Sequence, residues 1–288
     1  MQMQHPMSRL LLAALLLVAG VFASRGAAAQ AQATPAPAAS PAPAPCGGEA
    51  RLLATLNRPT IGFSTCAVAK GTIVIEPGYQ NSTVTGIGAG NAVQYPQALT
   101  RIGVADRFEF DVVTPNYMRV SSGGAYTQGY SDSGLGFKYE FAPKTKFNYG
   151  IDGIVTVASG TNGFSGGAPG YTANLDVAYA LSPAMALGST LAFQSLSGFT
   201  AGGSRSRYGA FAPSAVVTAQ LPGFFQLYAE YVYTSQIGPG MGSRSTVDYG
   251  VQKLLGRNLE VDLELGQALN TIGGARLRYI GAGLGIQL

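Results

Sequence analysis

From Thr72 to Leu288, apolar and polar residues alternate with a period of two. The clearest run is Leu259-Glu260-Val261-Asp262-Leu263-Glu264-Leu265, aliphatic at every odd position and acidic at every even one. Phe108, Phe110 and Val112 alternate with Arg107, Glu109 and Asp111; Leu135, Phe137, Tyr139 and Phe141 alternate with Gly136, Lys138 and Glu140. Tyr149 and Ile151 oppose Asp152, Leu175 and Val177 oppose Asp176, Leu227 and Tyr231 oppose Glu230, and Val247 and Tyr249 oppose Asp248. Successive side chains of a strand point to opposite faces, so each segment presents one apolar and one polar face. The pattern predicts an all-β chain. Beyond the N-terminal region no apolar run approaches the roughly 18 residues of a spanning helix.

The connections carry independent information. Short ones fall at Val104–Arg107, Ala142–Thr145, Leu181–Ala184, Leu221–Gly223 and Leu254–Asn258. Mostly longer, Gly- and Ser-rich ones fall between them, at Gln80–Gln94, Pro115–Tyr130, Ser159–Pro169, Ser197–Arg207, Ile237–Gly242 and Asn270–Gly274. Strict alternation of short and long connections marks an outer-membrane barrel with tight periplasmic turns and longer external loops. The expectation is a transmembrane antiparallel β-barrel of about 12 strands over residues 71–288. Ile280, Ala282, Leu284, Ile286 and Leu288 share one parity, so the last strand resembles the C-terminal assembly signal of such barrels, with Leu288 where phenylalanine is more usual. The glycines opposite them, and Gly86-Ile87-Gly88-Ala89-Gly90, open no helix and are not nucleotide loops.

Composition sharpens the picture. Charged residues make up 11% of the chain, against roughly 25% in an average soluble domain. A hydrophobic fraction of 47% argues against disorder. A soluble sandwich or closed barrel with its carboxylate face outside would have a very large apolar core and few surface lysines, which argues against it. Arg9 followed by the apolar stretch Leu10 to Ala23, then Ala27-Ala28-Ala29, reads as a cleaved export signal over residues 1–29. Residues 30–45 form an Ala/Pro-rich linker. His5 is the one histidine and lies inside that signal, so Ser-His and Cys-His catalysis and His-ligated metals are excluded from the mature chain. No catalytic residue, cofactor or metal site is expected, and no basic cluster points to nucleic acid.

Parity assigns eleven of the fourteen acids to the inner face: Glu76, Glu109, Asp111, Glu140, Asp152, Asp176, Glu230, Asp248, Glu260, Asp262 and Glu264. Arg101, Arg107 and Lys138 are the inward bases. Carboxylates at this density stay ionised only if paired or hydrated, which predicts water in the lumen. The functional reading is a passive path favouring cations or polar solutes. The alternatives are a non-conducting structural or adhesion barrel and, last, a translocator for an N-terminal passenger. Arg205, Arg207, Arg244, Arg276 and Arg278 fall at the long-loop end, as outer-leaflet phosphate ligands or as solvated loop charges.

Arg101-Ile-Gly-Val-Ala-Asp-Arg-Phe-Glu-Phe resembles a hairpin of the putative meta-pathway phenol-degradation transporters. So do Gly134-Leu-Gly-Phe-Lys-Tyr-Glu-Phe, Ala229-Glu-Tyr, the strand from Asn258, and Asn57-Arg-Pro-Thr with the Cys46/Cys66 pair. The resemblance covers residues 46–288 in hairpin-sized pieces. It implies an outer-membrane transporter barrel of a Gram-negative-type cell for small, aromatic or cationic, solutes, without naming phenol as the solute. The partners that follow are outer-membrane lipid and lipopolysaccharide, the barrel-assembly machinery and small solutes. In an oxidising periplasm Cys46 and Cys66 are expected to form a disulfide. Between them Leu52, Leu53 and Leu56 have helical spacing, and residues 46–70 carry Arg51, Arg58 and Lys70 against one acid, Glu49. Residues 46–70 are therefore expected to fold against or into the periplasmic opening as a disulfide-braced plug; a periplasmic cap without effect on permeation is the alternative.

Overall fold

A computed structural model describes residues 46, 50–141, 146–200 and 202–288. The predicted signal and linker lie outside the described residues. The alternating segments form sixteen β-segments, preceded by one helical turn, α1 (Arg51–Thr55). They are β1 (Ile73–Glu76), β2 (Gly78–Gly86), β3 (Gly90–Tyr95), β4 (Leu99–Ala105), β5 (Phe108–Val113), β6 (Tyr117–Ser122), β7 (Ala125–Tyr130) and β8 (Ser133–Glu140). Then follow β9 (Phe147–Val157), β10 (Gly170–Ser182), β11 (Met185–Phe199), β12 (Arg205–Leu221), β13 (Phe225–Thr234), β14 (Arg244–Leu254), β15 (Leu259–Ala268) and β16 (Ala275–Gln287).

Pairing runs β1-β4-β5-β8-β9 and on through β16, and β16 closes on β1 through Val74↔Gln287 and Ile75↔Ile286. The result is a closed antiparallel ring of twelve strands, as the sequence pattern predicts. Closure leaves that ring without an unpaired edge.

The remaining four segments explain a departure from the sequence reading. Residues 80–94 and 115–130 are not loops. They are the hairpins β2–β3 and β6–β7, which extend the wall beyond the ring in the order β16-β2-β3-β6-β7. Their polar Ser, Thr, Asn and Gln content hides the strand signal, because neither face is apolar. The Gly123–Gly124 turn, with both φ angles positive, is the hairpin chemistry expected between paired strands. Three of the four breaks between lower and upper halves carry a proline, Pro77, Pro96 or Pro115, which cannot donate to the ladder. The ladder is bridged across the breaks by Leu284 N–H to Pro77 O at 3.0 Å and Thr114 N–H to Ala98 O at 2.9 Å. Beyond β7 the wall is completed by the 158–169 connection: the Asp132 carboxylate accepts from the N–H groups of Gly160 and Gly166, both at 2.9 Å.

The faces are inverted relative to a water-soluble barrel. Leu135, Ile151, Leu263 and Ile280 are exposed, whereas Glu76, Arg101, Glu109 and Lys138 are 0% exposed. Aromatic rows bound the outer apolar band. Near the short turns Tyr139, Phe141 and Tyr149 pack with centroid separations of 4.8 and 5.0 Å. Towards the other end Tyr95, Tyr117 and Tyr130 lie in one row at 5.1 and 5.7 Å.

Candidate functional site: a segment threaded inside the barrel

Thirteen of the fourteen side chains assigned inward by parity are buried: all eleven acids, Arg101 and Lys138. Arg107 is the exception. Strand β4 ends at Ala105 after a register irregularity, and Arg107 occupies the turn with φ 63°. Its guanidinium donates to Phe141 O at 3.4 Å and lies 6.0 Å from the Tyr139 ring centroid, so it is exposed. Parity counted through a turn does not predict a face, because the turn resets the alternation.

The wall carboxylates meet the N-terminal segment. The Cys46–Cys66 disulfide is present. Downstream of α1 the chain has no repeating structure until β1, so its buried N–H groups need partners from elsewhere. Acids of the wall supply them. Glu76 accepts from Asn57 N–H and Arg58 N–H, both at 2.8 Å. Glu230, on β13 four strands around the ring from β1, accepts from Ile61 N–H at 2.7 Å and Gly62 N–H at 2.8 Å. Glu140 accepts from Ala67 N–H at 3.0 Å and Glu109 from Val68 N–H at 2.5 Å. The Thr190 hydroxyl accepts from Phe63 N–H at 2.9 Å.

The two buried wall cations take the carbonyls. Arg101 donates to Thr55 O and to Cys66 O, the latter at 2.8 Å, while pairing with Glu76 at 3.0 Å and Glu109 at 2.8 Å. Lys138 donates to Ser64 O at 2.5 Å and Asn57 Oδ1 at 3.1 Å. In return the segment contributes Arg58, whose guanidinium lies 3.4 Å from Asp262 and 3.7 Å from Glu264. Charge-assisted hydrogen bonds of this kind are roughly twice as strong as neutral ones. Deeper on the wall, Asp176 accepts from Thr190 Oγ1 at 2.6 Å and Asp152 from Asn174 at 2.8 Å. Asp248 faces Glu230, Glu264 and Tyr279, and Glu260 faces Asp262. Asp111 faces Glu109 and Arg101.

Apolar packing fixes the lower end. Leu52, Leu53 and Leu56, the residues at helical spacing, cluster with Val68, with Val74 of β1 and with Leu254 of β14. Room for the segment comes from inward glycines whose role the sequence pattern does not reveal. A Cβ at Gly285 would lie 2.6 Å from Leu56 Cδ1, and one at Gly283 would strike Arg58 and Asp262. The Gly281-x-Gly283-x-Gly285 face of β16 is thus a groove for the threaded segment. The legible signal is glycine at inward positions of a strand whose outward positions are aliphatic. A cavity of about 140 Å³ remains between Leu53, Leu56 and Phe63 of the segment and Ala178, Gly188, Thr218 and Gln220 of the wall.

The closed twelve-strand ring, aliphatic outside and charged inside, has the fold class of outer-membrane-type barrels. The chain is similar to the COG4313 outer membrane channel from Pseudomonas putida F1, at a TM-score of 0.57 and 14% identity over 78% of this chain and 98% of that one. It is also similar to the NanC porin, at a TM-score of 0.51 and 8% identity over 74% and 100% of the respective chains. At these identities the likeness shows the fold alone. No protein-family model matches the sequence, and no curated protein matches it.

Proposed function

We propose that the protein is an outer-membrane barrel acting as a passive channel for small cationic or polar solutes, with residues 46–70 as its plug. The observation that carries this reading is the grip of four wall carboxylates on six backbone N–H groups of the threaded segment. The outward aliphatic band between aromatic rows fits a bilayer. The hairpin motifs resembling the meta-pathway transporters support the same class, and no chemical step is part of it. Solute passes on the β10–β12 side, where small and hydroxyl side chains border the cavity, and acids in excess of buried bases favour cations over anions.

The test is planar-bilayer recording of the refolded protein. Full-length protein gives small, cation-selective conductance, and deletion of residues 46–68 raises it markedly and makes it less dependent on salt. A truncated barrel that inserts normally yet conducts like the full chain rejects the plug. A second reading, a closed structural barrel, draws on how fully the segment engages the wall. It predicts silence from both proteins.

A further inference from the structure

We infer that the outer wall formed by β16, β2, β3, β6 and β7 binds the phosphates of an anionic glycolipid in the outer leaflet. The argument is the vertical order of residues on one face. The lowest row is Tyr95↔Tyr117↔Tyr130, the aromatic level. Two residues further along the strands, about 7 Å, lies the row Ile280↔Asn81↔Val93↔Arg119↔Gln128. Next comes Arg278↔Thr83↔Asn91↔Ser121↔Tyr126, and above it Arg276↔Thr85. Ile280 is 51% exposed on the same face as Arg278 and Arg276, so these arginines point away from the lumen.

Tyrosine rows sit at the membrane–water boundary. The rows immediately beyond them stand at the level of lipid headgroups, where outer-leaflet glycolipids carry phosphate. Arg119, Arg276 and Arg278 occur there with hydroxyl and amide side chains between them, and none of the five strands contains an acid. The side chains of Arg276 and Arg278 make no hydrogen bond or ion pair with the described residues, and that of Arg119 only stacks on Tyr126, 4.5 Å from its centroid. Their guanidinium donors are therefore available. The cations are all arginine, the side chain whose planar fork matches phosphate in bidentate fashion. Lysines occur instead near the short turns, at Lys146 and Lys253. The inference rests on the membrane-spanning reading and is independent of conduction.

The experiment measures binding of bisphosphorylated lipid A to full-length protein refolded in uncharged detergent. Heat-modifiable gel mobility confirms that each variant is folded. Combined R119Q, R276Q and R278Q should weaken binding by at least about tenfold, whereas K253Q should leave it unchanged. Dephosphorylated lipid A should bind the wild type as weakly as lipid A binds the triple variant, and inorganic phosphate should not displace the lipid. Equal binding by triple variant and wild type overturns the inference, as does equal binding of the dephosphorylated lipid. Displacement by inorganic phosphate at matched concentration also overturns it, making the patch a site for free anions. Failure of the refolded protein to insert into bilayers would instead refute the membrane reading.

Discussion

Glu230→Ala removes one anchor of the threaded segment and leaves the others in place. The carboxylate accepts two backbone N–H groups, from Ile61 at 2.7 Å and Gly62 at 2.8 Å. Hydrogen bonds to charged groups contribute roughly 1.5–3 kcal/mol each, so the gross loss is about 3–6 kcal/mol. Part is offset, because the alanine no longer faces the repulsion of Asp248 and Glu264 or the cost of burying a charge. A net loss of about 2 kcal/mol corresponds to a roughly 30-fold shift towards local release. The release should be confined to residues 60–62, because Glu76 still holds Asn57 and Arg58, Thr190 still holds Phe63, and Glu140 and Glu109 still hold Ala67 and Val68. Amide hydrogen exchange of the refolded protein reads this directly. Ile61 and Gly62 should exchange about 30-fold faster, with Asn57 and Val68 unchanged, and single-channel recordings should show more frequent openings. Unaltered protection at Ile61 and Gly62 would refute the assignment of Glu230 as an anchor. Uniform loss of protection from Asn57 to Val68 would show that the segment releases as one unit rather than anchor by anchor.

The remaining expectations follow from the same geometry. Reducing the Cys46–Cys66 bridge, or making Cys46→Ser with Cys66→Ser, removes a constraint across a separation of 20 residues that is worth about 3 kcal/mol in the chain-entropy model. It should lower the temperature at which conductance rises, and an unchanged temperature would contradict the bracing role. Gly283→Leu places a side chain where Arg58 and Asp262 lie, at a cost of about 1–3 kcal/mol; conductance should rise while heat-modifiable gel mobility stays that of a folded barrel. Arg101→Gln should disrupt the segment, whereas Arg107→Gln, at an exposed turn, should stay within about 0.5 kcal/mol of wild type by thermal unfolding. Single cysteines at Ser204 and Met241 should label from outside intact cells and one at Phe224 should not; the opposite polarity would invert the barrel in the membrane.

Much of this architecture was decided by local chemistry. A period of two with aliphatic residues on one face and acids on the other specifies strands and their faces, because strand geometry forces alternation whatever the partner. It therefore assigns the eleven acids, Arg101 and Lys138 to the face that the fold buries. The alternating lengths of connections likewise carry the strand count. Where both faces are polar, as in β2–β3 and β6–β7, the period has no contrast to display and the strands read as loops. Arg107 shows the related limit, since alternation ends where a turn begins. What the wall acids do lies beyond any sequence pattern. Glu76 and Glu230 are separated along the chain yet hold neighbouring stretches of one threaded segment, and that pairing exists only once twelve strands have closed into a ring. The same holds for the Gly281, Gly283 and Gly285 face, which is recognisable as a groove only when Leu56 and Arg58 are seen lying in it. Burial of an irregular backbone demands a hydrogen-bond partner for each N–H; local sequence states the demand, and tertiary structure alone determines which distant carboxylate meets it.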